Sequence, residues 1–123
     1  GTFGGNPLVC AAVSASVEFL RREKLGERAK TRGNILKQGL VELAKKHRIV
    51  REVRGLGLML AMELRFEVRD IILEALTKGV ILLYSGRNIL RFLPPLVIEE
   101  EQVKKVLETL DEVLTEEERR RGV

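Results

Sequence analysis

One cysteine, one histidine, one tyrosine and no tryptophan bound what these 123 residues can do. With Cys10 alone the chain cannot close an internal disulfide, and the paired-cysteine spacing of a zinc site is absent. With His47 alone there is no cluster of histidines and carboxylates to hold a metal, so no metal site is expected. No span of about 20 apolar residues and no secretory apolar segment occurs, which excludes a membrane helix and makes a reducing cytoplasmic setting the default. Neither G-x-x-x-x-G-K-[ST] nor G-x-G-x-x-G is present, nor any internal repeat or low-complexity linker. Aromatic residues make up 4%, so the core must be built from Leu, Val, Ile and Ala.

What is present reads as one folded domain. Hydrophobic residues make up 45% and charged residues 33%, a balance that separates the chain from disordered sequences. Dense charge around an aliphatic core leans toward a heat-adapted source. The net charge of +4 raises the question of nucleic acid, but basic residues alternate with acids along most of the chain. The one dense basic run, Arg119, Arg120 and Arg121, follows Glu116, Glu117 and Glu118 and ends a predicted helix, where cations suit the macrodipole. No nucleic-acid or membrane partner is expected. The chain opens on Gly1 rather than Met and its first motif begins at once, which suggests a piece of a longer protein.

The pattern along the chain predicts eight elements. Residues 1–6 (GTFGGN) form a glycine-rich loop, and Asn6-Pro7 is an N-cap followed by a favoured first helical residue. A helix runs from Pro7 with small residues along it, and Gly26 is expected to break it. A second helix carries Leu25, Ala29, Leu36, Leu40, Leu43 and Ala44 near helical spacing. Gly33 and Gly39 inside it cost about 1 kcal/mol each against Ala, so tight contacts are expected there. Residues 49–54 (IVREVR) read as a strand, Gly55 and Gly57 as a turn, and Leu58, Leu60, Met62 and Leu64 alternate along the next strand. A helix over 66–78 precedes Gly79 at the C′ position. Strands at 80–84 and 89–93 and a final amphipathic helix complete the order α-α-β-β-α-β-β-α. Four short strands with helices on one face make an α+β two-layer sandwich with a small, mostly antiparallel sheet.

No self-contained active site is visible, and no catalytic residue is assigned. His47 lies among Lys45, Lys46 and Arg48 at a helix end, where a solvated or dipole-stabilising role is expected rather than catalysis. Cys10 sits in an apolar helix and is expected to be a small buried residue rather than a nucleophile. Two features stand out. Thr2-Phe3-Gly4-Gly5-Asn6-Pro7 exposes backbone ahead of a capped helix; it is either an anion site or an ordinary helix entry. Arg91, in Ile89-Leu90-Arg91-Phe92-Leu93-Pro94-Pro95, puts a guanidinium inside an apolar strand with no carboxylate nearby in sequence. It either snorkels to solvent or meets a negative partner from elsewhere in the fold, from another domain or from a ligand.

These segments, in this order, resemble the class III, fold-type I aminotransferases. Thr2-Phe3-Gly4-Gly5-Asn6-Pro7-Leu8 is similar to the T-[FY]-G-G-N-P-L run that follows the catalytic lysine in that family. Val53-Arg54-Gly55-Leu56-Gly57-Leu58-Met59 resembles its V-R-G-x-G-L-M turn, and residues 89–98 (ILRFLPPLVI) resemble its I-R-[FL]-x-P-P-L-[VI]-I strand and exit. The resemblance covers essentially the whole chain, and its wording is nearest acetylornithine and aminoadipate-semialdehyde (acetyl-lysine) enzymes of arginine and lysine biosynthesis. Ornithine and 4-aminobutyrate aminotransferases share much of it.

The resemblance implies that residues 1–123 are the C-terminal small domain of a homodimeric, pyridoxal-phosphate-dependent enzyme that acts on an amino acid and 2-oxoglutarate. Residues 1–24 would be a cofactor loop and a connecting helix that packs on the large domain, leaving an apolar, small-residue face exposed without it. Thr2 matches the threonine that reaches across the dimer to the cofactor phosphate, and Arg91 the arginine at the substrate end of the site, which in relatives either meets a substrate carboxylate or pairs with an active-site glutamate that switches between substrates. Gly1 departs from the Ser or Thr that many members carry there. The catalytic lysine and the aspartate at the pyridine nitrogen belong to the large domain, and Lys24 and Lys30 do not replace them, so the chain alone is expected to be inactive. A rival of another class is a stand-alone protein-interaction module.

Overall fold

The computed structural model describes residues 1–123 and has the predicted order of elements: α1 (Pro7–Arg22), α2 (Leu25–Lys46), β1 (Val50–Leu56), β2 (Met59–Leu64), α3 (Arg69–Thr77), β3 (Leu83–Ser85), β4 (Ile89–Phe92) and α4 (Glu100–Arg121). α1 starts where the cap predicts: the Asn6 side chain accepts from the Val9 amide at 2.9 Å and Pro7 opens the helix. It ends four residues before Gly26. The break falls at Lys24, which adopts a left-handed conformation (φ 50°), while Gly26 sits in the first turn of α2. The expected break at Gly26 is therefore corrected, because the reversal of the chain is made by the two residues between the helices.

The strands form one sheet in the order β1-β2-β4-β3, and all three ladders are antiparallel. Two elements are shorter than predicted. Residues 80–82 leave the ladder because the Val80 amide donates to the Ala75 carbonyl at 3.0 Å, which ties them to the helix exit, while Val80 and Leu82 are buried. α3 begins at Arg69 because the Arg65 amide still bonds Ile49 and the Val68 amide bonds Arg87, extending the sheet-side connections past Phe66. Gly79, with φ 87°, occupies the C′ position that the sequence predicts.

Leu60, Met62, Leu64, Leu90 and Phe92 point to one face of the sheet, where Leu36 and Leu40 of α2, Ile71 and Ala75 of α3, and Val103, Leu110, Val113 and Leu114 of α4 close the core. Two glycines set how closely α2 approaches. A Cβ on Gly33 would lie 2.1 Å from the Gly57 carbonyl oxygen of the β1–β2 turn, and one on Gly39 would lie 2.3 Å from Leu107 Cδ1. The tight contacts expected at both positions are present.

His47 corrects another expectation. It is 2% exposed, not solvated, and its ring bridges α2 to α4: Nδ1 lies 2.5 Å from Glu118 Oε1 and Nε2 2.7 Å from Asp111 Oδ1. Lys46 adds a bond to Asp111 Oδ2 at 2.8 Å. The Lys46 ammonium, helped by His47 and opposed by burial, holds the Asp111 carboxyl below its ordinary value. Further along α4, the buried Glu117 accepts from Arg120 at 2.6 Å and Arg121 at 2.7 Å, and Arg121 lies over the Phe66 ring. The basic run at the end of α4 is thus committed to neighbouring glutamates.

α1 stands apart. None of its residues is buried, and Leu8, Val13 and Val17 lie open along it. Cys10 is exposed rather than buried, because α1 has no layer of this chain on its apolar side.

Gly33→Ala should lower the thermal midpoint despite the helix-propensity gain of about 1 kcal/mol, since the methyl meets backbone; Gly39→Ala should cost less, since Leu107 can rotate. Reversible melting of both variants checks the order. The depressed Asp111 carboxyl contributes stability that is present above its ordinary value near 3.8 and lost as pH falls through its folded value. Asp111→Asn should cost about 1 kcal/mol at neutral pH and flatten the loss of stability below pH ~4, as read by denaturant melts across that range.

Candidate functional site

Strand alternation decides where Arg91 goes. Leu90 and Phe92 turn into the core, so Arg91 between them turns to the face of the sheet that no helix covers. It pairs across the ladder with Ala61 on β2 and Leu83 on β3, so its neighbours in that row are a methyl group and an isobutyl group. It is one of the residues lining a hollow of ≈ 510 Å³ that runs past the ends of β3 and β4 toward the helices, where Leu36 of α2 and Gln102, Val103, Lys105 and Val106 of α4 also line it. Arg91 is partly exposed, its guanidinium nitrogens stay accessible to solvent, and they make no hydrogen bond or ion pair within the chain. A carboxylate entering this hollow would meet a planar, permanently charged donor able to grip both its oxygens.

The same face carries residues that the sequence reading passed over. Arg54, on β1, pairs with Glu52 at 3.1 Å and with Glu63 of β2 at 3.2 Å; Arg51 lies 3.6 Å from Glu63, and Asn88 donates to it at 3.5 Å. Their alternation along β1 and β2 was visible in the sequence, but which strand each faced depends on the register.

At the other candidate site, the Gly4 amide bonds Gly1 at 3.2 Å and the Asn6 side-chain amide bonds the Phe3 carbonyl at 2.9 Å. These contacts curl the loop ahead of α1, and Gly5 takes a left-handed φ of 82°. The amides of Thr2, Phe3 and Gly5 and the Thr2 hydroxyl have no partner in the chain, and all are exposed at the positive end of a helix. Free amides, a hydroxyl and a helix N-terminus suit a phosphate group. The loop and Arg91 are not brought together: no residue from 1–24 lines the Arg91 hollow. No group of three or more His, Cys, Asp or Glu side chains is placed to hold a metal ion, and no helix is long and apolar enough to cross a membrane.

The chain is thus a one-sided α+β layer with an unpaired arginine on its open face, led by a glycine-rich loop ahead of α1. Residues 1–114 match the family model described as Aminotransferase class-III, and the chain belongs to that family. It is 42% identical to the acetylornithine aminotransferase of Caldanaerobacter subterraneus over 94% of this chain and 30% of that protein. It is 41% identical to the 5-aminovalerate aminotransferase of Pseudomonas aeruginosa over 94% of this chain and 30% of that protein. Among solved structures, the ornithine aminotransferase of Toxoplasma gondii, which holds pyridoxal phosphate at partial occupancy in its active site, superposes with a TM-score of 0.91. That match covers 100% of this chain and 30% of that one at 29% identity. The chain spans less than a third of the length of these relatives.

Proposed function

We propose that residues 1–123 are the C-terminal domain of a pyridoxal-phosphate-dependent aminotransferase that moves an amino group from an acetylornithine- or acetyl-lysine-type donor to 2-oxoglutarate, in arginine or lysine biosynthesis. The observation that carries this reading is Arg91: a guanidinium without a partner in the chain, on a strand position that faces away from the core and among the residues that line the hollow. A planar, permanently charged fork with no partner in the chain suits a carboxylate that arrives from outside it. The family membership and the 42% identity to an acetylornithine enzyme support the donor class.

In the full-length protein the cofactor supplies an electron sink at the carbon that gives up its amino group. This chain supplies binding and orientation. Arg91 grips a substrate carboxylate through two parallel N–H bonds. The Thr2 hydroxyl and the free loop amides reach the cofactor phosphate of the neighbouring subunit in a homodimer. The exposed apolar side chains of α1 support residues 1–24 packing on the large domain and its partner subunit rather than on the core described here. The catalytic lysine lies outside these residues, so the chain alone is inactive, and the cytoplasm is its setting. The 41% identity to a 5-aminovalerate enzyme favours one second reading, a donor with a free terminal amino group and no acyl substituent, such as ornithine or 4-aminobutyrate.

In the full-length protein, kcat/KM should be larger with N-acetylornithine than with ornithine, 4-aminobutyrate or 5-aminovalerate; a larger value for any of those three reverses the donor assignment. Arg91→Ala should raise KM for 2-oxoglutarate roughly ten- to a hundredfold, the range set by a charge-assisted bond, with folding unchanged by circular dichroism. An unchanged KM would mean that Arg91 only snorkels. Thr2→Ala should speed loss of the cofactor on dialysis, followed by its visible absorbance, with little effect on the melting of the cofactor-free protein.

A further inference from the structure

Ala61 stands between two arginines in one cross-strand row, with Arg54 opposite it on β1 and Arg91 opposite it on β4. Glu63, two residues further along β2 and on the same face, is diagonal to both. Diagonal neighbours lie about 7–8 Å apart, within reach of long side chains. Glu63 is the only carboxylate on β2, β3 and β4, and its side chain is 24% exposed, so it is the partner that Arg91 would be expected to take. It does not take it. Oε2 of Glu63 accepts from Arg54 at 3.2 Å, while Oε1 faces Arg51 at 3.6 Å and Asn88 at 3.5 Å. Arg54 is held in turn by Glu52 at 3.1 Å. Arg51 and Arg54 thus balance Glu52 and Glu63, and the charge left over on this face is that of Arg91.

We propose that Arg54 is a positioning residue for substrate binding: by occupying Glu63 it keeps this carboxylate off Arg91 and leaves the guanidinium free for the carboxylate of the substrate. Without Arg54, Glu63 becomes an intramolecular competitor on the diagonal of Arg91, which a substrate carboxylate must displace. Surface ion pairs of this kind are weak, which suits a device that biases a binding group without locking it. The inference rests on Arg91 as the carboxylate-binding residue.

Steady-state kinetics of the full-length aminotransferase with 2-oxoglutarate test it. Arg54→Ala should raise KM roughly two- to fivefold, the factor that an exposed ion pair supports, with kcat unchanged. Arg54→Lys should restore KM, because a cation again faces Glu63. The double variant Arg54→Ala/Glu63→Gln should also restore it, because the competitor has lost its charge; a merely structural role for Arg54 would leave the double variant as impaired as the single one. Arg54→Met keeps the aliphatic stem and replaces Ala should that variant not fold. An unchanged KM in Arg54→Ala, or an equally raised KM in the double variant, overturns the proposal while the Arg91 reading stands. An unchanged KM in Arg91→Ala overturns both.

Discussion

The sheet of this chain buries one face only, and almost everything else follows from that. α2, α3 and α4 all lie against the side that carries Leu60, Met62, Leu64, Leu90 and Phe92. With a side-chain period of two, committing those residues to the core commits Ala61, Glu63, Ile89 and Arg91 to the opposite side. A slip of one residue in β4 would drive Arg91 into the leucines and expose Leu90, so the burial of Leu90 and Phe92 is what aims Arg91. The register itself is anchored at the hairpin. Gly33 lets α2 come down onto the Gly57 carbonyl, and Lys37 of the same helix donates to the Gly55 carbonyl at 3.0 Å. A helix docked that closely on the β1–β2 turn leaves little freedom for the strands to slide.

Signals that act within a few residues were legible in the sequence. Asn6-Pro7 as a helix start, the alternation from Leu58 to Leu64, Gly79 beyond α3 and the apolar stripe of α4 each rest on local chemistry, and each is present. What was not legible depends on pairing between distant segments. His47 finds Asp111 and Glu118 at separations of 64 and 71 residues, and a lone histidine among lysines carries no sign of them. Cys10 was misjudged for the converse reason. Its helix has an apolar pattern, but no layer of this chain lies against it, and pattern alone cannot say whether the complementary surface is on the same chain. Glu63 required the register of both its neighbours before its commitment to Arg54 could be seen.

The treatment of charge elsewhere in the fold gives Arg91 its meaning. His47 is buried and has a carboxylate at each nitrogen; Glu117 is buried and has two arginines. Arg28 and Arg32 each leave an inner Nε without a partner, yet their terminal nitrogens reach Glu99 at 2.8 and 3.7 Å. Burial of charge here is consistently accompanied by opposite charge, as desolvation requires. Arg91, which solvent still reaches, takes no such partner although a carboxylate of the same sheet face lies on its diagonal. Glu52 and Glu63 face each other directly across the β1–β2 ladder, so Arg54 between them also relieves a like-charge pair. The observed arrangement leaves a permanent cation at the hollow and surrounds the carboxylate on its diagonal with other donors. A cation that solvent still reaches costs the fold little, and in the carboxylate-binding reading proposed above its freedom from any partner in the chain is what a substrate would use.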